Sequence, residues 1–135
     1  MNEVIWAVAL AGVLATLAKL VGILVSTKSL KWHDLIVTGG MPSTHSAFVV
    51  SLSTIIYLVE GLSTSFVISI VLAVIVMRDA FGVRRSVGNE GKAIEKLFKA
   101  HKIKSKFHYS IGHTPLQVTV GSIIGAVVSF LVYFI

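Results

Sequence analysis

The sequence predicts an all-α integral membrane protein, a bundle of four spanning helices with its polar loops gathered on one face. Three observations predict it. Hydrophobic residues make up 55% of the 135 positions and charged residues 13%, against about 45–50% and 25% in soluble domains. Four apolar stretches approach or exceed the length needed to cross roughly 30 Å of hydrocarbon. The basic residues are concentrated in one connection instead of being spread over a surface. A soluble domain so poor in charge would lack the polar surface that keeps it in solution. The length suits a single domain, residues 1–135.

The first stretch, Val4 to Val25, is apolar except for Thr16 and Lys19, and only Met1-Asn2-Glu3 precedes it. With no basic segment ahead of it, it reads as a retained span and not as a cleaved signal. His45 to Leu62 is shorter and serine-rich, Ser63 to Val83 is β-branched and apolar until Arg78-Asp79, and Pro115 to Ile135 is apolar throughout. An unpaired strand leaves its backbone unsatisfied in hydrocarbon, so these β-branched runs are expected as helices. Small residues recur at helical spacing: Ala11 with Ala15, Ala18 with Gly22, Gly121 with Gly125. They permit close approach of helices within the bundle, or between the subunits of a homodimer.

Charge orients the spans. The connection from Arg84 to Gly112 holds eight Lys or Arg against Glu90 and Glu95, a net +6 that equals the charge of the whole chain. The loop from Ser26 to Pro42 adds Lys28 and Lys31 against Asp34, whereas the two termini and the Glu60-Gly61 turn carry no Lys or Arg. The positive-inside rule therefore places both long loops in the cytoplasm and both termini outside, in the cell (inner) membrane. Within the basic loop, Ile94, Leu97, Phe98 and Ile103 lie among lysines from Lys92 to Phe107. That pattern suits a cytoplasmic amphipathic helix on anionic membrane lipids, and in so hydrophobic a chain no nucleic-acid partner is expected. The absence of cysteine excludes disulfides, a thiolate zinc site and a cysteine nucleophile. With no HExxH spacing or paired carboxylates, no catalytic metal or cofactor is expected either.

Two segments concentrate polar chemistry. In Gly39-Gly40-Met41-Pro42-Ser43-Thr44-His45-Ser46, two glycines and a proline precede a helix that Ser43 or Thr44 can cap. The free amides of that helix start form an anion site suited to phosphate, with His45 in the first turn; a plain capped helix with an interfacial histidine is the other reading. In Gly112-His113-Thr114-Pro115-Leu116-Gln117, Thr114 at the cap, Pro115 next and Gln117 at the third position spell a capping box. Gln117 thus has a structural task of its own, and His113 sits beside a second set of helix-terminal amides.

Asp79 is costly near hydrocarbon unless an arginine or Lys19 pairs with it. Arg84 and Arg85 are either anchors at the membrane surface or bidentate phosphate ligands. Lys19, about 10 Å from the end of its span, can snorkel toward the same place. His33, His101 and His108 read as surface or interfacial residues.

The segments GGMPSTHSA (39–47), DAFGVRR (79–85) and GHTPLQV (112–118), in that order between four apolar spans, resemble the divergent PAP2 family. This is a membrane branch related to type 2 phosphatidic acid phosphatases and vanadium haloperoxidases. The resemblance covers nearly the whole chain. It implies a metal-independent lipid phosphate or pyrophosphate phosphatase with His113 as nucleophile and His45 as general acid. Arg84 or Arg85 would hold phosphate, helped by Lys19 and by the Gly40, Ser43 and Thr44 segment.

The chain departs from the wider pattern in two places. The arginines are separated from His113 by the basic loop, and the fourth residue after His113 is Gln117 where the superfamily has a carboxylate. Lys19 also lacks the Arg-Pro that follows the family lysine. Glutamine can accept a hydrogen bond from the imidazole but cannot supply charge, so either another group such as Asp79 serves His113 or the site is slow or inactive. A non-catalytic protein that binds or translocates phospholipid headgroups is the alternative from a different class. A purely structural bundle or small channel is the third.

Overall fold

A computed structural model describes residues 2–27, 40–103 and 112–135. Their regular structure is entirely helical: α1 Asn2–Thr27, α2 Thr44–Glu60, α3 Thr64–Arg78, a π-helical segment Asp79–Val83, α4 Arg84–Ala100 and α5 Pro115–Phe134. The second and fourth expected spans match α2 and α5 closely. Lys28, Lys31, His33, Asp34, Gly39 and the Lys104, Lys106, Phe107 and His108 end of the amphipathic pattern lie outside the described residues.

One boundary differs from the sequence reading. No helix end falls near Val83: α3, the π segment and α4 run on as one 37-residue helix, Thr64–Ala100. Gly82, Gly88 and Gly91 resemble breakers in the sequence. Each costs only about 1 kcal/mol in a helix, and the register change at the π segment absorbs the join. Helix α4, charged and amphipathic, runs from Arg84 to Ala100 and overlaps the expected Lys92 to Phe107 stretch over residues 92–100.

Three helices are long and apolar enough to cross a membrane, and α2, with 17 residues, reaches the lower limit for one. The side chains are distributed inside out relative to a soluble protein. The interior holds Ala7, Ala11, Ala15, Ala47 and Ile55 together with Ser43, Ser46, Ser51 and Ser129. Ile5, Leu10, Leu17, Val67, Ile68, Val71 and Leu131 face outward. Small residues inside and large apolar ones outside are what helix packing in lipid requires, because burial of leucine gains nothing there and backbone approach does.

Helix α2 is the centre of the bundle, contacting α1, α3 and α5. Its seam with α5 is the tightest. A Cβ at Gly121 would lie 2.2 Å from the Ser43 carbonyl oxygen, and one at Gly125 would lie 2.4 Å from that of Ala47. The Ser129 hydroxyl is 2.8 Å from that of Ser51 and donates to the Ser51 carbonyl at 2.9 Å. At the head of the seam the Ser43 N–H donates to the Gln117 carbonyl at 3.0 Å, locking the two helix starts side by side. Gly121→Ala should therefore force α5 off α2 and destabilise the protein by about 1–3 kcal/mol, the usual cost of overpacking. A lowered melting temperature in detergent checks this.

Candidate functional site

The two histidine segments meet the exit of α3. At α2, Ser43 is the N-cap and its hydroxyl oxygen accepts from the Ser46 N–H at 3.4 Å and the Ser46 hydroxyl at 2.9 Å. That hydroxyl is fully buried and spent on the cap. Thr44 begins the helix half-buried, and His45, one residue on, is exposed. At α5 the expected capping box is present. The Gln117 N–H donates to the Thr114 hydroxyl at 3.3 Å, and Gln117 Oε1 accepts the Thr114 N–H at 3.0 Å.

The rings of His45 and His113 are 6.5 Å apart, centroid to centroid. They line one cavity of about 20 Å³ with Val76, Asp79, Ala80, Arg84 and Gly112. That space holds about one water. His45 and Arg84 form its exposed side, whereas His113 is only 4% exposed. Arg84 Nε–H donates to Asp79 Oδ2, so Asp79 orients the arginine and does not hydrogen-bond His113. Arg85 is exposed and is not part of the cavity wall. The Lys19 stem runs along Gly40, whose positive φ of 90° suits glycine.

The π segment sets the position of His113. The Arg84 N–H reaches back five residues to the Asp79 carbonyl, where an α-helix would take it to Ala80. The Ala80 carbonyl instead accepts the His113 N–H at 2.9 Å. Gly112 makes this approach possible, since a Cβ there would lie 2.4 Å from the Arg85 backbone nitrogen. Ala80, Gly112 and Val76 are the members of the site that sequence reasoning missed. The glycine before His113 was the one available signal.

The ring chemistry of His113 follows from Gln117. Because Oε1 accepts the Thr114 N–H, the amide orientation is fixed and His113 Nδ1, 3.3 Å away, must be the donor. In the neutral ring Nε2 then carries the lone pair. Burial pushes the His113 pKa below 6.5, and the charge of Lys19 adds to this. Hydrogen bonds with Gln117 and the Gly40 backbone pull the other way without cancelling it. Neutral His113 therefore predominates at and above pH 6.5. If His113 acts as the neutral base or nucleophile, the acid limb of kcat/KM against pH should fall below 6.5, and a pH–rate profile of the free enzyme checks this.

Among the described residues, no three His, Asp or Glu side chains converge as metal ligands. The family model described as "Divergent PAP2 family" matches residues 1–128. A relative from Bacillus subtilis (strain 168), "Uncharacterized membrane protein YuiD", is 38% identical over 126 residues, covering 80% of each chain. No solved structure matches the chain. With three helices able to cross a membrane, the chain is a multi-pass membrane protein.

Proposed function

Because the chain belongs to the divergent PAP2 family, we propose that it is a metal-independent phosphatase acting on a lipid phosphate or pyrophosphate through a phosphohistidine. The observation that carries this reading is the pair of imidazoles, 6.5 Å apart on one cavity that Arg84 also lines. Arg84 sits where equatorial phosphate oxygens need charge, and Lys19 adds a second positive centre close enough to act on His113. The cavity of about 20 Å³ holds a water and not a phosphate, so on this reading the exposed His45 and Arg84 side chains swing outward to admit the phosphate group.

In the first half-reaction the Nε2 lone pair of His113 forms a bond to phosphorus as the P–O bond to the lipid breaks. The leaving oxygen takes its proton from the His45 imidazolium. In the second, neutral His45 takes a proton from water, the water oxygen bonds to phosphorus, and the N–P bond breaks. Inorganic phosphate leaves, with His113 neutral and His45 protonated as at the start. Ser43, whose hydroxyl is engaged in the cap, and Gly40 contribute the capped helix start and its backbone dipoles, Thr44 lies in the first turn beside them, and Arg85 contributes charge at the membrane surface. Both motif segments face the cytoplasm of the cell membrane, the termini face outward, and the basic, amphipathic α4 is drawn to anionic headgroups. A homodimer would use the exposed Ala18 and Gly22 face of α1, since Ala11, Ala15, Gly121 and Gly125 are buried within the bundle.

The test uses an activated aryl phosphate, whose leaving group needs no acid. In His45→Ala, protein-bound phosphate that is acid-labile and base-stable should accumulate, because formation survives and hydrolysis stalls. No such label, in wild type or variant, would overturn the phosphohistidine. One observation favours a second reading: the group on His113 Nδ1 is the neutral Gln117. On that reading the site binds or passes phospholipid headgroups without cleaving them.

A further inference from the structure

An open groove of about 390 Å³ lies between α2 and α3, with Phe130 of α5 on one side. Its walls are apolar: Val50 on α2 and Ile70, Ala73, Val74 and Met77 on α3. The Ser53 hydroxyl, which also lies there, donates to the Val49 carbonyl of its own helix and offers nothing to an occupant. At one end Ala73 and Met77 lie one helical turn before Val76 and Ala80, which line the cavity between the histidines. At the other end the rings of Tyr57 and Phe66 meet at 5.1 Å, tilted by 45°. From Phe66 to Met77 the helix rises about 16 Å.

We propose that this groove holds one hydrocarbon tail of the lipid whose phosphate lies at His45 and Arg84, and that the Tyr57–Phe66 pair ends it and limits chain length. The occupant follows from continuity. The pocket lined by Arg84 and two histidines and the apolar groove share α2 and α3. Their lining residues follow one another on one helix face, Ala73 and Met77 in the groove one turn before Val76 and Ala80 in the pocket, so the molecule that fits both has a phosphate at one end and an aliphatic chain at the other. Straight acyl-type and methyl-branched isoprenoid tails share that chemistry. This rests on the site binding phosphate and does not depend on its cleaving it.

The experiment uses the full chain in phosphatidylcholine vesicles and an alkyl phosphate bearing a diazirine near its methyl end. Label should concentrate on Tyr57, Phe66 and Ile70 and be displaced by unlabelled alkyl phosphate but not by the matching alkanol. Label spread equally over outward residues of α1 such as Leu10 and Leu17 overturns the proposal.

In a chain-length series compared at equal mole fraction in the bilayer, where lipid already takes the hydrophobic gain of each methylene, displacement of the label should improve as the tail packs along the groove and level off once it reaches the ring pair. Phe66→Ala should move the plateau to longer tails, and Ile70→Trp, at an exposed groove position, to shorter ones. A plateau unmoved in both variants, each melting like wild type, overturns the ring pair as a limit. Running straight and isoprenoid phosphates in parallel tells which tail the groove prefers. Label in place without any phosphate release supports the groove and counts against hydrolysis alone.

Discussion

His113→Ala is expected to abolish phosphate release from a lipid phosphate in detergent, by at least about 10⁴-fold in kcat, since loss of a covalent nucleophile costs this much or more elsewhere. The fold should survive. The bond from residue 113 to the Ala80 carbonyl is made by the backbone, and the side chain gives up its hydrogen bonds with Gln117 and the Gly40 backbone. Alanine removes a buried ring, and the cavity it leaves adjoins one already open to the surface. Phosphate release should therefore be measured beside a melting curve and displacement of bound vanadate. A variant that melts normally, still binds vanadate and does not turn over identifies His113 as the nucleophile. Unchanged turnover would remove it.

The second large effect is a gain. In Gln117→Glu the carboxylate oxygen can keep both contacts of Oε1, the Thr114 N–H at 3.0 Å and His113 Nδ1 at 3.3 Å. Glutamate suits a capping box as well as glutamine does, and a negative charge is favourable in the first turn of α5. What changes is the charge beside the imidazole as it becomes cationic in the transition state. The reverse, acid-to-amide change in a serine-protease triad costs about 10⁴ in rate, and hydrolysis should rise here by about 10²–10⁴-fold.

The pH dependence should move with it. An adjacent carboxylate favours the protonated ring, so the His113 pKa rises from its depressed value and the acid limb of kcat/KM moves to higher pH. No gain in turnover, with headgroup binding retained, would decide for the binding or translocating reading.

Much of this was readable in the sequence because lipid-immersed helices obey short-range rules. Apolar length alone located α1, α2 and α5. Thr114, Pro115 and Gln117 announced their capping box because it is a contact between residues three apart. The small residues Ala11, Ala15, Gly121 and Gly125 are buried where helices meet; Ala18, of the same spacing class, is exposed. Spacing marks a face without saying whether a neighbour lies against it.

The π segment was not legible. Nothing in Asp79-Ala80-Phe81-Gly82-Val83 separates a π turn from a helix end, because the choice is settled by a partner 33 positions away, the His113 N–H that takes the Ala80 carbonyl. The division of labour between Arg84 and Arg85 was closed for the same reason. Adjacent arginines point about 100° apart on a helix, and only the observed register shows that Arg84 is the one beside the cavity.

The π segment also carries information in its length. Phe81 and Val83 are exposed and make no contact with the site, so the residue types at those two positions are weakly constrained. The length of the segment is not. Adding or removing one residue would rotate everything that follows by about 100°, carrying Arg84 away from Asp79 and replacing the carbonyl presented to His113. At Phe81 or Val83 a substitution is a minor edit and a single-codon insertion or deletion a disabling one, so the site is protected by a count as much as by its chemistry.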